Sequence, residues 1–118
     1  MQKLFFSLVV WLAFAGIPAF AADNGYDSKK VIDNDRVRVM RVTLQPGAES
    51  PRVARELDRV VHVFKGGSIV RNYEDGRQVK YTYKTGDIVY VDSPDDKLPY
   101  SIKNIGKSQM ILQVTFLK

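Results

Sequence analysis

Short runs of alternating apolar and polar residues dominate the stretch Arg59–Asp92. The runs are rich in Val, Ile, Tyr and Phe, and they are separated by Gly66-Gly67, Asp75-Gly76 and Thr85-Gly86-Asp87. A period of two between turn residues is typical of β-strands, so this stretch predicts four strands. Because such short connections cannot make a parallel crossover, we expect neighbouring strands to be antiparallel. Asp75-Gly76 is the strongest hairpin signal.

Further strands flank this stretch. Arg36–Gln45 alternates and then changes phase near Met40-Arg41, which predicts a β-bulge. Ile88–Val91 is almost wholly apolar and predicts a central strand. The segments Tyr100–Lys103 and Ser108–Lys118 complete the pattern. About eight or nine short strands in fewer than 100 residues predict an all-β, antiparallel jelly-roll barrel.

The first 21 residues have the layout of a secretory signal peptide. Lys3 precedes an apolar run from Leu4 to Ala15, and Ala19-Phe20-Ala21 provides small residues before a cleavage site. The apolar run is shorter than the ~20 residues that span a bilayer. We therefore expect cleavage after Ala21, export to a bacterial periplasm and no membrane attachment afterwards. Residues 22–30 are expected to form a flexible tail, and residues 31–118 the barrel domain.

Composition and charge exclude several function classes. The chain has 18 Lys and Arg against 13 Asp and Glu, and loss of Lys3 with the leader leaves 17 − 13 = +4. These charges are mixed along the chain, which predicts a solvated surface and no nucleic-acid partner. The chain has no cysteine, so disulfides, thiolate metal sites and a cysteine nucleophile are excluded.

Four segments resemble the motifs of the cupin family of small β-barrels. Arg36–Gly47 resembles a cupin first strand that ends in Pro-Gly, and Asp58–Gly67 resembles the strand of the first cupin motif. Thr85–Val91 resembles the Gly-Asp start of the second motif, and Asn104-Ile105-Gly106 resembles its end. The resemblance covers most of the mature chain and implies a cupin-like β-barrel.

The chain departs from the family at the metal ligands. Many cupins bind a divalent metal through a His-x-His and a Glu in the first motif and one His in the second. Counted back from Asp58, the two His positions fall on Val53 and Arg55, and the Glu position falls on Arg59. Counted back from Asn104, the second-motif His falls on Tyr100 if Asp95–Leu98 holds a small insertion. A shift by one residue would put the two His positions on Ala54 and Glu56, and it restores no histidine. We therefore expect no metal and no cofactor.

The arginines at these positions suggest a different pocket. If Arg59 faces the barrel interior, Val61 and Val63 face it too, and Arg55 and Tyr100 complete a cationic site over an apolar floor. Guanidinium groups bind oxyanions in bidentate geometry, so a carboxylate, phosphate or sulfated sugar is the expected ligand. In the alternative arrangement, both arginines lie in solvent at the barrel mouth or pair with Glu56 and Asp58.

Two other functions remain open. His62 could act as a general base with Tyr100 as its acid partner, although alternation places His62 on the face opposite the inferred pocket. A non-catalytic role is favoured, because the sequence contains no other catalytic motif. The protein could also be a homodimeric interaction or structural module that uses the apolar faces of its N-terminal and C-terminal strands.

Overall fold

The structure is a computed structural model that describes residues 24–93 and 98–118. This part of the chain forms eight strands and no helix, so it offers no helical segment that could cross a membrane. The predicted all-β antiparallel fold is therefore confirmed, whereas the predicted signal peptide lies outside the described residues. The strands are β1 (Tyr26–Asp33), β2 (Val37–Leu44), β3 (Arg59–Lys65), β4 (Gly67–Tyr73), β5 (Gln78–Tyr83), β6 (Ile88–Val91), β7 (Tyr100–Asn104) and β8 (Met110–Leu117).

The strands form two antiparallel sheets that enclose the barrel interior. The larger sheet has the order β1-β2-β8-β3-β6, and the smaller has the order β5-β4-β7. Asp75-Gly76 joins the paired strands β4 and β5, as predicted, with Gly76 at a φ of 94°. The other two Gly-bearing breaks do not join paired strands, because the chain changes sheets at Gly66 and again between β5 and β6. A short connection can therefore turn a barrel corner as well as close a hairpin.

The predicted flexible tail is wrong from Tyr26 onward. Tyr26 pairs with Leu44, and β1 continues along the edge of the larger sheet. Hydrogen bonds to β2 hold this strand although its sequence is mostly polar, because an edge strand with exposed side chains needs no apolar alternation. The bulge predicted near Met40-Arg41 is wrong for β2, which pairs with β8 without a shift; the irregularity lies on the neighbouring strand β1, between Lys30 and Ile32.

The prediction that Ile88–Val91 is a central strand is also wrong. β6 lies at the edge of the larger sheet and pairs only with β3 among the described strands. Its apolar character has two separate sources. Val89 and Val91 pair with the inward-facing residues of β3, whereas Ile88 is 68% exposed on the outer face.

The barrel is closed at one end by a packed apolar cluster. Leu44, Val63, Ile69 and Met110 are almost completely buried there. Buried Asn104 donates its side-chain amide to the carbonyl oxygens of Leu44 (3.0 Å) and Ser108 (2.9 Å) and accepts the Gly106 amide (2.9 Å). These bonds fix the β7–β8 turn against the cluster. They satisfy a polar group whose burial would otherwise be costly.

Candidate functional site

A cavity of about 510 Å³ lies between the two sheets. Its size is in the range of small-molecule binding sites. Its exposed lining residues lie on β1 and on the segment 53–56, so the cavity opens to solvent between these two parts. The segment 49–53 extends the smaller sheet through isolated bridges of Glu49 with Lys103 and of Val53 with Tyr100.

Arg59 lies inside the barrel. Arg59, Val61 and Val63 are buried in alternation along β3, with Arg59 only 4% exposed. Its Nη2 donates to the Tyr100 hydroxyl at 2.6 Å, and its Nη1 donates to the Leu57 carbonyl oxygen at 3.2 Å. The alternative of a solvent-exposed arginine at the barrel mouth therefore does not apply to Arg59.

Arg55 lies beside the same tyrosine. Its Nη1 donates to the carbonyl oxygens of Tyr100 and Val53, and its guanidinium carbon is 4.0 Å from the centre of the Tyr100 ring. A guanidinium over an aromatic face is attracted by the ring quadrupole. Burial lowers the pKa of Arg55, and the positive charges of Arg59 and Arg71 lower it further, although Tyr100 opposes them.

Arg71 is a cavity residue that the sequence reasoning missed. Its guanidinium carbon lies 4.4 Å from the Tyr81 ring centre and 4.7 Å from that of Tyr100. Its Nε is buried and has no hydrogen-bond partner in the described part of the protein. The sequence pattern that could have identified Arg71 is the period of two in β4, which places Arg71 on the same face as the buried Ile69.

The electrostatic surroundings of Arg71 differ from those of Arg55. Burial lowers the pKa of Arg71, but the tyrosines around it and a hydrogen bond to the Tyr73 hydroxyl outweigh burial, so the pKa lies above its ordinary value. Burial also raises the pKa of the neighbouring Tyr83, against the opposing effect of Arg71. The interior therefore combines cationic groups with phenol rings.

No described carboxylate forms an ion pair with Arg55, Arg59 or Arg71. The ion pairs among residues 24–93 and 98–118 are Lys30–Asp33, Arg77–Asp75 and Lys118–Asp33. Asp58 accepts hydrogen bonds from the Tyr90 hydroxyl and the Ser93 amide, each at 2.7 Å. Three neighbouring guanidinium groups in a partly desolvated site favour the entry of an anion.

Solved structures were found that share this architecture, whereas no protein-family model and no curated protein sequence matches the chain. A cupin domain from Bordetella pertussis Tohama I has a TM-score of 0.70 and 20% identity, over 80% of this chain and 94% of that one. An RmlC-like cupin family protein with a double-stranded β-helix fold from Methanocaldococcus jannaschii has a TM-score of 0.62 and 19% identity, over 99% and 91%.

The chain has the cupin fold. The resemblance seen in the sequence is thus confirmed at the level of the fold. A sugar phosphate isomerase of the cupin superfamily from Silicibacter pomeroyi is also similar, with a TM-score of 0.59 and 23% identity over 83% of this chain and 62% of that one. Identities this low establish the architecture only, so the function must be argued from the residues of the cavity.

The residues at the cupin metal positions do not fit a divalent ion. Val53 has no donor atom, and the guanidinium groups of Arg55 and Arg59 carry positive charge and offer no lone pair. A cation placed beside Tyr100 would meet these charges at close range. Across the described ranges, no three His, Cys, Asp or Glu side chains are grouped closely enough to hold a metal.

His62 lies on the outer face of the larger sheet. Its ring packs edge-on against Phe64, with ring centres 4.8 Å apart, and it does not line the cavity. Tyr100 is 2% exposed on the inner side of the opposite sheet. The structure therefore brings Arg55, Arg59 and Tyr100 together, but it does not bring His62 to Tyr100 as an acid–base pair.

Proposed function

We propose that this cupin-fold protein is exported and binds a small organic anion inside its barrel, without a metal and without catalysing a reaction. One observation carries the proposal. Arg55, Arg59 and Arg71 meet around Tyr100, and no described carboxylate forms an ion pair with any of them. A bound anion would balance their charge and accept hydrogen bonds from them.

The composition of the cavity supports binding rather than acid–base chemistry. The described lining contains no histidine, and its carboxylates, Asp33 and Glu56, belong to exposed residues. Asp33 is also occupied by ion pairs with Lys30 and Lys118. A general base must reach the reacting atom and have a suitable pKa, and no described lining carboxylate combines burial with a position beside Tyr100.

The proposed location rests on the N-terminal sequence. The apolar run after Lys3 and the small residues before Ala22 support cleavage of a leader and export to the periplasm. Mass spectrometry of the protein from a periplasmic extract tests this directly. The expected mature chain begins at Ala22, and an intact Met1 terminus would contradict it.

A thermal-shift screen tests the binding proposal. Organic acids and inorganic phosphate are expected to raise the melting temperature, because ligands that bind the folded state stabilise it by mass action. The stabilisation should be lost in Arg55→Gln and Arg71→Gln. It should persist in Arg36→Gln, which removes the same charge from an exposed residue outside the cavity. Stabilisation by divalent metals alone, or an equal response in all three variants, would contradict the proposal.

A second candidate function is assembly into a homodimer. The observation in its favour is the outer face of the larger sheet, where Ile88 and Tyr90 on β6 are 68% and 55% exposed. Exposed apolar residues grouped on one face often mark an interface. This role needs no ligand and is compatible with the first.

A further inference from the structure

We infer that the ligand is a carboxylate with an apolar body, rather than a sugar acid or a sugar phosphate. This inference rests on the proposed anion site and concerns the rest of the cavity. The anionic group is held by Arg55, Arg59 and Arg71, while the body of the ligand lies against hydrocarbon side chains further along the strands. The ligand therefore has one charged end and one apolar end.

The strand register separates these two ends of the cavity. On the larger sheet, Arg59 pairs with Phe116, and Phe116 pairs with Arg38, so two cationic side chains flank an aromatic ring in one row. The next row holds Val61 opposite Val114, and the row after it includes Leu112. On β2, β3 and β8 the lining of the cavity thus changes from cationic to apolar along a single direction. On the edge strand β1, Lys30 and Ser28 line the same two apolar rows at the open side of the cavity.

Strand β4 of the smaller sheet shows the same order. Arg71 on β4 is followed, two residues closer to the packed end of the barrel, by Ile69. Arg71 pairs with Ile102 on β7, which also lines the cavity. At about 3.3 Å per residue, the row of Val61 and Val114 lies about 7 Å from the level of Arg59, and the row of Leu112 about 13 Å from it. A short alkyl chain or an aromatic ring attached to a carboxylate fits this length.

A polyhydroxylated ligand does not suit this apolar zone. The hydrocarbon side chains there carry no hydrogen-bonding group, so sugar hydroxyls packed against them would lose their hydrogen bonds to water and gain none from these side chains. Each unpaired hydroxyl is expected to weaken binding about tenfold or more. The side chains concerned are Val42, Val61, Ile69, Ile102, Leu112 and Val114. The polar groups of Ser28, Lys30 and Tyr83 also line the cavity, on its β1 and β5 sides.

Isothermal titration with straight-chain carboxylates from acetate to octanoate tests the inference. Affinity should rise about three- to fourfold per methylene group until the apolar zone is filled. Octanamide, which has the same body without the charge, should bind at least tenfold more weakly than octanoate. Glucose 6-phosphate should bind no more tightly than inorganic phosphate.

Matched variants locate the body of the ligand. Val114→Thr and Val42→Thr keep the side-chain shape and add a hydroxyl to the apolar zone, so each should weaken octanoate binding about tenfold and leave acetate binding unchanged. Val60→Thr makes the same change on the outer face of β3 and should alter neither octanoate binding nor acetate binding. The second cavity variant keeps the test decisive if one of the pair does not fold.

The outcomes separate this inference from the proposed function. If acetate and phosphate bind through the arginines but affinity does not change with chain length, or if glucose 6-phosphate binds most tightly, the ligand class is wrong and the anion site stands. If no anion of the series binds, the proposed function fails and the inference fails with it. A response of Val60→Thr equal to that of Val114→Thr would also overturn the inference.

Discussion

Arg59 is the residue at which stability and binding oppose each other most clearly. The residue is 4% exposed, its guanidinium forms no ion pair with a described carboxylate, and its hydrogen bonds go to the Tyr100 hydroxyl and the Leu57 carbonyl oxygen. Burying a charge that no described carboxylate balances is unfavourable, and two hydrogen bonds offset this cost only in part. A residue with this cost is better explained by ligand binding than by folding.

Arg59→Met is expected to leave the stability of the ligand-free protein unchanged or to raise it by up to about 2 kcal/mol. The physical reason is that an apolar side chain of similar length removes the desolvation cost of the guanidinium. Stabilisation by carboxylates should be strongly reduced in the same variant. Chemical denaturation with and without octanoate measures both effects. A loss of ligand-free stability of several kcal/mol would mean that Arg59 acts mainly as a structural residue.

The sequence predicted only part of the candidate site. Arg55, Arg59 and Tyr100 were proposed because the cupin motifs place them at ligand positions, and strand alternation then oriented Arg59. Arg71 was missed because its strand carries none of those positions. Alternation tells which face of a strand a residue occupies, but not which sheet lies opposite that face. Contacts such as that between Arg71 and the Tyr100 ring therefore require the three-dimensional structure.

Among the connecting elements, Gly66 makes the tightest approach. A Cβ at this position would lie 2.3 Å from the Tyr83 carbonyl oxygen and 2.8 Å from the Thr85 amide nitrogen. Because these are backbone atoms of the corner between β5 and β6, they cannot rotate away. The two points at which the chain changes sheets are thus packed against each other.

Gly66→Ala is therefore expected to destabilise the fold by about 1–3 kcal/mol. Gly106→Ala serves as a matched control, because a Cβ there meets nothing closer than 3.4 Å. The loss of stability in Gly106→Ala should be clearly smaller. Urea denaturation measures the stability of both variants, since a change in the midpoint of unfolding at a constant slope reports stability alone. Equal effects of the two substitutions would show that the approach at Gly66 relaxes.

The segment that carries Arg55 is held by a carboxylate that titrates in acid. Glu49 accepts hydrogen bonds from the Ser101 hydroxyl and the Asn72 amide, and chiefly the Ser101 bond lowers the pKa of Glu49 below its ordinary value of 4.5. A lowered folded-state pKa means that the carboxylate stabilises the folded protein above pH 4.5. This contribution is lost as the pH falls through the lowered value.

Glu49→Gln should therefore lower the melting temperature at neutral pH, with a difference from the unsubstituted protein that shrinks below about pH 4.5. Glu56→Gln is a suitable control, because Glu56 is exposed and has no ion pair or hydrogen bond among the described contacts. Melting curves from pH 7 to pH 3 measure the difference. A difference that stays constant with pH would indicate that the carboxylate charge of Glu49 is not the stabilising feature.

At the same scale, the sequence predicted the strands better than their partners. Turn residues and period-two runs located β3, β4, β5 and β6, but they suggested that consecutive strands pair. The consecutive strands β3 and β4 do not pair, because the chain turns at Gly66 from the larger sheet into the smaller one. The first part of β1 was missed for the opposite reason: its stability comes from backbone pairing with β2, which leaves no apolar pattern to detect.

At the scale of the whole molecule, the barrel wall has two faces of different character. Its inner face carries Arg55, Arg59 and Arg71, whereas the outer face of the larger sheet exposes apolar side chains from both of its edges, including Ile32 on β1 and Ile88 on β6. With no cysteine, the protein has no disulfide to stabilise a small core. Covering the outer face by a second copy would supply additional apolar burial.

The dimer proposal predicts that Ile88→Lys weakens self-association. Five strands about 4.8 Å apart and up to eight residues long give the outer face roughly 600 Å², somewhat below the ~800 Å² per partner of a standard interface. A lysine near the edge of this face would have to be desolvated on association.

Ile105→Lys is the matched control, because Ile105 is also exposed but lies in the β7–β8 turn, outside this face. Sedimentation equilibrium should show a dimer for the unsubstituted protein and Ile105→Lys, and a monomer for Ile88→Lys. A monomer in all three would exclude the homodimer, and retained octanoate binding by monomeric Ile88→Lys would establish that the cavity functions independently of assembly.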